Sequence, residues 1–270
     1  MSKPALSKDT KICISLASRP SNIGTRFHNY LYDVLGLDFV YKACTTTDIA
    51  AAIGGVRALG IRGCSVSMPF KQDVLGLVDH VEDSALAIRA VNTIVNDEGV
   101  LTAANTDYTA VRQLIAGIDR AAVLIRGSGG LARAVATAFR DSGFADGAIV
   151  ARNRASGTEL AGRLGYSWRD DVGATRGAVL VNVTPIGMSG GAEEHDLAFT
   201  EREIAAAEVI FDVVALPAET PLISAARAAG KHVVTGAEVI ALQAAEQFER
   251  YTGVRPTPEQ IAAASSASRR

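Results

Sequence analysis

Along the chain, short runs of β-branched and aliphatic residues alternate with alanine-rich stretches whose apolar positions recur every three to four residues. The runs Lys11–Ala17, Phe39–Cys44 and Arg62–Ser67 predict strands. Between them the spacing predicts a helix over Thr25–Leu35, closed by Gly36. A second follows over Asp48–Leu59, opened by threonines and closed by Gly60. The rhythm breaks at "VNTIVNDEGVLTAANTD", where two extended runs flank Asn96-Asp97-Glu98-Gly99 and predict a β-hairpin. A helix over Asp107–Ala116 then bridges into a second unit. From Ala121 the strands "AAVLIR", "GAIVAR", "GAVLVNV", "EVIFDVV" and "HVVT" are separated by helical segments at Gly130–Ser142, through Thr158–Leu164 and after Pro221. That order predicts a doubly wound parallel sheet and an α/β protein. Gly236 starts a long helix, "AEVIALQAAEQFERYTG", and a shorter one lies near Pro258–Ser265. The sheet already has its strands, so these last helices are expected to return to the first domain. Only the tail "AAASSASRR" is of low complexity.

Composition narrows the partners. A chain of 270 residues has room for two domains, and 48% hydrophobic with 21% charged residues is the balance of a soluble globular protein. The net charge of -2 makes no electrostatic case for nucleic acid or an anionic membrane. The start "MSKPALSKDTK" lacks a secretory apolar run, and no stretch approaches the roughly 20 apolar residues of a membrane span, so a cytoplasmic protein is expected. Cys13, Cys44 and Cys64 are scattered without a CxxC, and His28, His80, His195 and His232 lack metal-ligand spacing. Buried free thiols and no metal are the expectation.

The first candidate chemistry lies in "VLIRGSGGLARAVATAF". Gly127, Gly129 and Ala132 fit G-x-G-x-x-[GA] after an apolar strand and at the opening of a helix. The first glycine permits the tight turn and the second lets backbone approach a pyrophosphate. A small third residue allows close helix–strand packing, and the helix N-terminus supplies amide donors. A tight turn in any α/β sheet is the plain alternative. An NAD site usually has an acidic residue some 20 positions on. Here the next strand ends in "ARNRAS", where Arg152 and Arg154 suit a 2′-phosphate, so NADP is favoured over NAD.

The second candidate lies earlier. Oxidising an alcohol by hydride transfer needs a group that takes the hydroxyl proton. "SVSMPFK" ends a strand at its carboxyl edge, and Pro69 turns the chain, holding Lys71 on a stiff support. "AVNT" and "ANTD" flank the hairpin and bring Asn92 and Asp107 into consideration, the Asp as a group that orients and tunes the Lys. A surface lysine and a helix-capping aspartate are common, so spacing alone does not decide between the two readings.

With these residues in view, the chain resembles the shikimate dehydrogenase family over nearly its full length. "SVSMPFK" resembles the family's NVTxPFK, "RAVNT" its GAVNT, and "ANTD" its GxNTD. "GSGGLARA" is similar to GAGGAARA, "ARNR" to NRT, "NVTPIGM" to NATPxGM, and "ETPLI" to TPLL. "GAEVIALQAAEQF" resembles the closing helix with its substrate-binding Gln. The resemblance implies an N-terminal α/β substrate domain (1–105 and 237–270) and a Rossmann NADP-binding domain (106–236), so that the first residues form the substrate half of a cleft. It implies Lys71 and Asp107 as the catalytic pair, with Asn92 and Gln243 on substrate hydroxyls and Ser67 where the family has Thr. It also implies Gly127, Ser128, Gly129 and Gly130 as the phosphate loop, Arg152 as the first NADP-selecting arginine, and Thr184 and Met188 beneath the nicotinamide. Arg154 stands two residues before the family's second arginine, whose place holds Ser156.

The departures are as informative. The family's S-x-S-P-x-x-H-N binds the substrate carboxylate with two serines. Aligned on His28-Asn29, this chain reads "NIGTRFHN", with Asn22 and Gly24 in the serine positions. Each hydrogen bond lost to a charged group costs about 1.5–3 kcal/mol. The family's substrate-contacting Tyr is here Ala215. These changes resemble the shikimate dehydrogenase-like branch. They imply NADP-linked oxidation and reduction of shikimate or a close hydroxylated cyclic acid, slow on shikimate itself, by a monomer or homodimer. The family implies aromatic amino acid biosynthesis, and these departures point away from its main pathway. A quinate or aminoshikimate-type dehydrogenase and a non-catalytic NADPH-binding sensor are the competing readings.

Overall fold

The computed structural model describes residues 3–173 and 177–269. The backbone divides into two compact units, Met1–Thr106 with Ala241–Arg270, and Asp107–Ile240. In the first, β1 (Lys11–Ala17), α1 (Ile23–Leu35), β2 (Phe39–Thr45), α2 (Ile49–Ala58) and β3 (Gly63–Val66) alternate. A 3-10 turn (Asp73–Gly76), β4 (His80–Val81) and the single turn α3 (Asp83–Leu86) lead to β5 (Thr93–Asp97) and β6 (Val100–Ala104). Helix α4 (Thr106–Leu114) opens the second unit. There β7 (Val123–Arg126), α5 (Gly130–Asp141), β8 (Gly147–Val150), α6 (Arg154–Leu164) and β9 (Ser167–Arg169) are followed by β10 (Val179–Asn182). Next come α7 (Glu201–Ala206), β11 (Val209–Asp212), α8 (Pro221–Ala228) and β12 (His232–Thr235). Helix α9 (Gly236–Thr252) starts in the second unit and runs into the first, and α10 (Pro258–Ser268) completes the first.

The first unit holds a mixed sheet in the order β2-β1-β3-β5-β6-β4. Strand β1 is parallel to β2 and β3, whereas β5 is antiparallel to both β3 and β6. Alternation along β1 sends successive side chains to opposite faces. Ile14 and Leu16 join Ile53, Val56, Val66 and Phe70, while Cys13 meets Phe27, Leu31, Phe248 and Tyr251. Each such fully buried aliphatic or Phe side chain contributes about 1.5–3 kcal/mol. Phe248 and Tyr251 of α9 and Ala264 of α10 belong to that second layer, so the closing helices do return to this unit. The hairpin turns at Glu98 and Gly99, both at positive φ (52° and 92°), the conformation of a two-residue type I′ turn.

The second unit holds the order β9-β8-β7-β10-β11-β12, with every pair parallel. The strand order reverses between β7 and β10, and ligands of such sheets bind off the strand carboxyl ends at that point.

Several local expectations are corrected. The cap of α2 is Asp48, whose carboxylate accepts from the Ala51 amide at 2.9 Å, rather than a threonine. The small-residue tail is helical through Ser268, and Ala264, Ser265 and Ser268 are buried against the first unit's core. Cys13 and Cys64 are buried free thiols, but Cys44 is only half-buried. β4, α3, β9 and α7 are too short for any periodicity to announce them.

Candidate functional site

In the first unit the site grows from β3 and the segment after it. Ser67 closes a turn in which its carbonyl accepts from the Phe70 amide, and Phe70 is buried in the core. Lys71 follows, its carbonyl accepting from the Val91 amide at 2.7 Å. The backbone of Lys71 is thus pinned on both sides, by a core aromatic and by the chain leading to Asn92. Asn92 is itself buried, because Val66 donates to its carbonyl and its own amide donates to Ala104.

The Asn92 side chain organises the centre. Its Oδ1 accepts from Thr93 Oγ1 and from the Thr106 amide, both at 2.8 Å. Its Nδ2 donates to Gln243 Oε1 at 3.4 Å, and Thr106 Oγ1 lies 3.3 Å from the same oxygen. One turn further along α9, Gln247 Nε2 donates to Thr93 Oγ1 at 3.0 Å and to the Asn92 carbonyl at 3.3 Å. Gln243 enters this network through its Oε1. Thr93, Thr106 and Gln247 escaped the sequence reading. Thr106 stands inside "ANTD", and Gln247 lies four residues after Gln243, on the same helical face.

A second group of hydroxyls lies on β2 and β3. Gly63, Ser65 and Ser67 alternate with the core residues Cys64 and Val66. Ser65 Oγ is 2.5 Å from the phenolic oxygen of the buried Tyr41. A Cβ at Gly24 would lie 3.5 Å from that same phenolic oxygen, so Gly24 leaves the Tyr41–Ser65 pair uncovered by any side chain at its position. Asn22 caps α1 without a side-chain hydrogen bond and is exposed. Asn29 pins α1 to β2, donating to the Tyr41 carbonyl at 2.8 Å and accepting from its amide at 3.0 Å. His28 is fully buried and stacks on Tyr41 with ring centroids 4.3 Å apart. Neither of its ring nitrogens has a hydrogen-bond partner, and burial pushes its pKa down to about 3.

Asp107 is the second residue of α4 and is buried, directly after the Thr106 held by Asn92. It belongs to the second unit.

In the second unit, Gly127 sits at φ 128°, and a Cβ there would meet the Val183 carbonyl at 2.6 Å, so only glycine fits the turn. Gly129 caps α5 without a side-chain acceptor. Cβ atoms built at Gly129 and Gly130 would meet nothing within 4 Å. This is an open N-terminus with amide donors available to an anion, and a diphosphate fits it. Ser128 Oγ is 2.7 Å from Ser156 Oγ, tying the loop to α6.

Beyond β8 the two arginines part company. Arg152, with its side chain 81% exposed, lies 3.6 Å from Glu193. Arg154 instead lies over the Trp168 ring, 5.3 Å from its centroid. At the end of β10, Asn182 Oδ1 accepts from both the amide (3.1 Å) and the hydroxyl (2.6 Å) of Thr184. The Thr184 hydroxyl is therefore engaged in its own turn. Asn182 Nδ2 donates to Asp212 Oδ1 at 3.0 Å. Thr220 Oγ1 donates to Asp212 Oδ2 at 2.7 Å, and burial raises the Asp212 carboxyl to about 6. Met188 is exposed. Among the described residues no cluster of His, Cys, Asp and Glu could hold a metal ion, and no helix is long and apolar enough to cross a membrane.

Comparison with known proteins adds the family. Residues 22–94 match the model of the shikimate dehydrogenase substrate binding domain. A shikimate dehydrogenase-like protein of Haemophilus influenzae is 55% identical over 267 residues, 98% of either chain. The chain belongs to the shikimate dehydrogenase family. The solved structure of a shikimate 5-dehydrogenase-like protein is 54% identical, with a TM-score of 0.96 over 98% of this chain and 100% of that one. A shikimate 5-dehydrogenase of Thermus thermophilus, solved in complex with NADP(H) and shikimate, is 27% identical, with a TM-score of 0.86 over 96% of this chain and 99% of that one. This member of the shikimate dehydrogenase family thus has its likeness spread over both units.

Proposed function

We propose that the protein is an NADP-dependent dehydrogenase of a hydroxylated ring acid of the shikimate class. The observation that carries this reading is the Asn92–Thr106–Gln243 network, built on the buried Asn92 and Thr106 and following the backbone-pinned Lys71 in a chain of this family. When bound, NADP would supply the hydride acceptor for oxidation, and its reduced form NADPH the hydride donor for reduction. In the oxidising direction Lys71 takes the hydroxyl proton as the carbon gives up its hydride, leaving the ketone, and Asp107 orients the ammonium. Gln243 and Asn92 hold the ring hydroxyls, with Gln243 presenting the amide donors that the network leaves to it. Gly127 to Gly130 receive the diphosphate, and Arg152 and Arg154 the 2′-phosphate.

The carboxylate end distinguishes this chain within its family. In this reading Asn22 and the half-buried Ser65, whose hydroxyl pairs with that of Tyr41 beside Gly24, are its donors. Ser67 adds a hydroxyl at the end of β3. This donor set favours a ring acid differently substituted from shikimate, turned over faster than shikimate itself.

The test is NADPH formation at alkaline pH with shikimate, quinate and amino analogues, each with NADP or NAD. Turnover with NADP, lowered roughly 10²–10⁴-fold in Lys71→Ala with the thermal midpoint unchanged, is expected. Tight NADPH binding with no turnover of any ring acid would replace this reading with a non-catalytic NADPH sensor.

A further inference from the structure

The rim of the second unit carries one aromatic residue that the reaction does not use. Trp168, the single tryptophan of the chain, lies on β9 at the edge of the parallel sheet. Three contacts fix it. Its Nε1 donates to the Ala151 carbonyl at 3.3 Å, just where β8 ends and the arginine segment begins. Its ring occupies the space that a side chain at Gly157 would need, since a Cβ there would come within 2.4 Å of Nε1. Over its ring lies the Arg154 guanidinium. The glycine in the first turns of α6 therefore makes room for the indole, and the indole supports the arginine.

The neighbouring cations make this contact matter. Arg152 faces the carboxylate of Glu193, which competes with any incoming phosphate. Ser156, at the position where the family carries its second arginine, is committed to Ser128 and is uncharged. Arg154 is left as the guanidinium with an aromatic backing rather than a carboxylate beside it. A guanidinium held against a ring keeps its N–H edge available for paired hydrogen bonds to phosphate oxygens, and less rotamer freedom is lost on binding.

We infer that Trp168 is a positioning residue for cofactor choice, holding Arg154 in place to receive a 2′-phosphate, because Ser156 stands where the family carries its second arginine. This rests on the reading that the second unit binds NADP. The role belongs to Trp168 and Gly157 together, because the indole cannot reach the arginine if position 157 carries a side chain.

The decisive experiment is calorimetric titration of the full-length wild-type, Trp168→Leu, Trp168→Phe and Arg154→Ala proteins with 2′,5′-ADP and with 5′-AMP. Trp168→Leu should weaken 2′,5′-ADP about fivefold, the scale of an exposed cation–π contact, and leave 5′-AMP unchanged. Trp168→Phe should recover most of the loss. Arg154→Ala combined with Trp168→Leu should be no worse than Arg154→Ala alone, since the two act on one contact. Tryptophan emission of the wild type should respond to 2′,5′-ADP and not to 5′-AMP. Equal weakening of both nucleotides in Trp168→Leu, or no weakening, overturns the inference while leaving the NADP reading standing. Failure of the wild type to bind 2′,5′-ADP, 5′-AMP, NADP or NAD removes the NADP reading, and this inference with it.

Discussion

The two units build binding surfaces by opposite means. In the first, the network around Asn92 is largely buried and bonded to itself, with Asn92 Oδ1 alone accepting from Thr93 and Thr106. In the second, the candidate donors are open backbone amides at Gly129 and Gly130 and arginines at the surface. A buried polar network is coupled to folding, because removing one member strands the others. An exposed rim is not, so its residues can be exchanged for different ligands at little cost to stability. This chain's departures, at Asn22, Gly24 and Ser156, fall at less buried positions.

Acid offers the sharpest way to separate the units. His28 is held neutral in the fold, with a pKa near 3 against about 6.5 when unfolded. The first unit's stability is therefore full above pH 6.5 and falls as pH drops from there towards 3, by about 1.4 kcal/mol per pH unit. Asp212 runs the other way, from 3.8 unfolded to about 6 folded. Its contribution is fully present below 3.8 and is lost as pH rises to 6. Hydrogen exchange followed by peptide from pH 4 to 7 should show the first unit loosening on acidification, and His28→Phe should remove that slope. A slope retained in His28→Phe would assign it to another group.

Asn92→Ala and Arg152→Ala test the contrast directly. The first should cost about 2–4 kcal/mol of stability in urea unfolding, by stranding Thr106, Thr93 and Gln243. The second should leave stability within about 0.5 kcal/mol and weaken NADP several-fold. Comparable destabilisation by both would erase the distinction between the two kinds of surface.

Glycines give the smallest and finest comparison. Gly157→Ala drives a methyl into Trp168 and should cost about 1–3 kcal/mol. Gly24→Ala meets Tyr41 only at an ordinary 3.5 Å and should change the melting temperature by no more than the equivalent of about 1 kcal/mol. Calorimetric melting of the two variants side by side checks the order.

The amino-acid sequence by itself determined the order of strands and helices and the hairpin. It also marked the glycine turn and the segment that carries Lys71, because period, capping residues and turn glycines are local properties of the chain. β4, α3, β9 and α7 were silent, since none carries the β-branched run or the helical period that marks the other elements. Tertiary structure alone decided that Thr106 and Gln247 complete the Asn92 centre and that Tyr41 reaches Ser65 across the intervening strand. It alone seated Trp168 against Gly157 beneath Arg154. These are contacts between residues from 11 to 154 positions apart, and only the packing of strands and helices can bring such side chains within hydrogen-bonding or stacking distance.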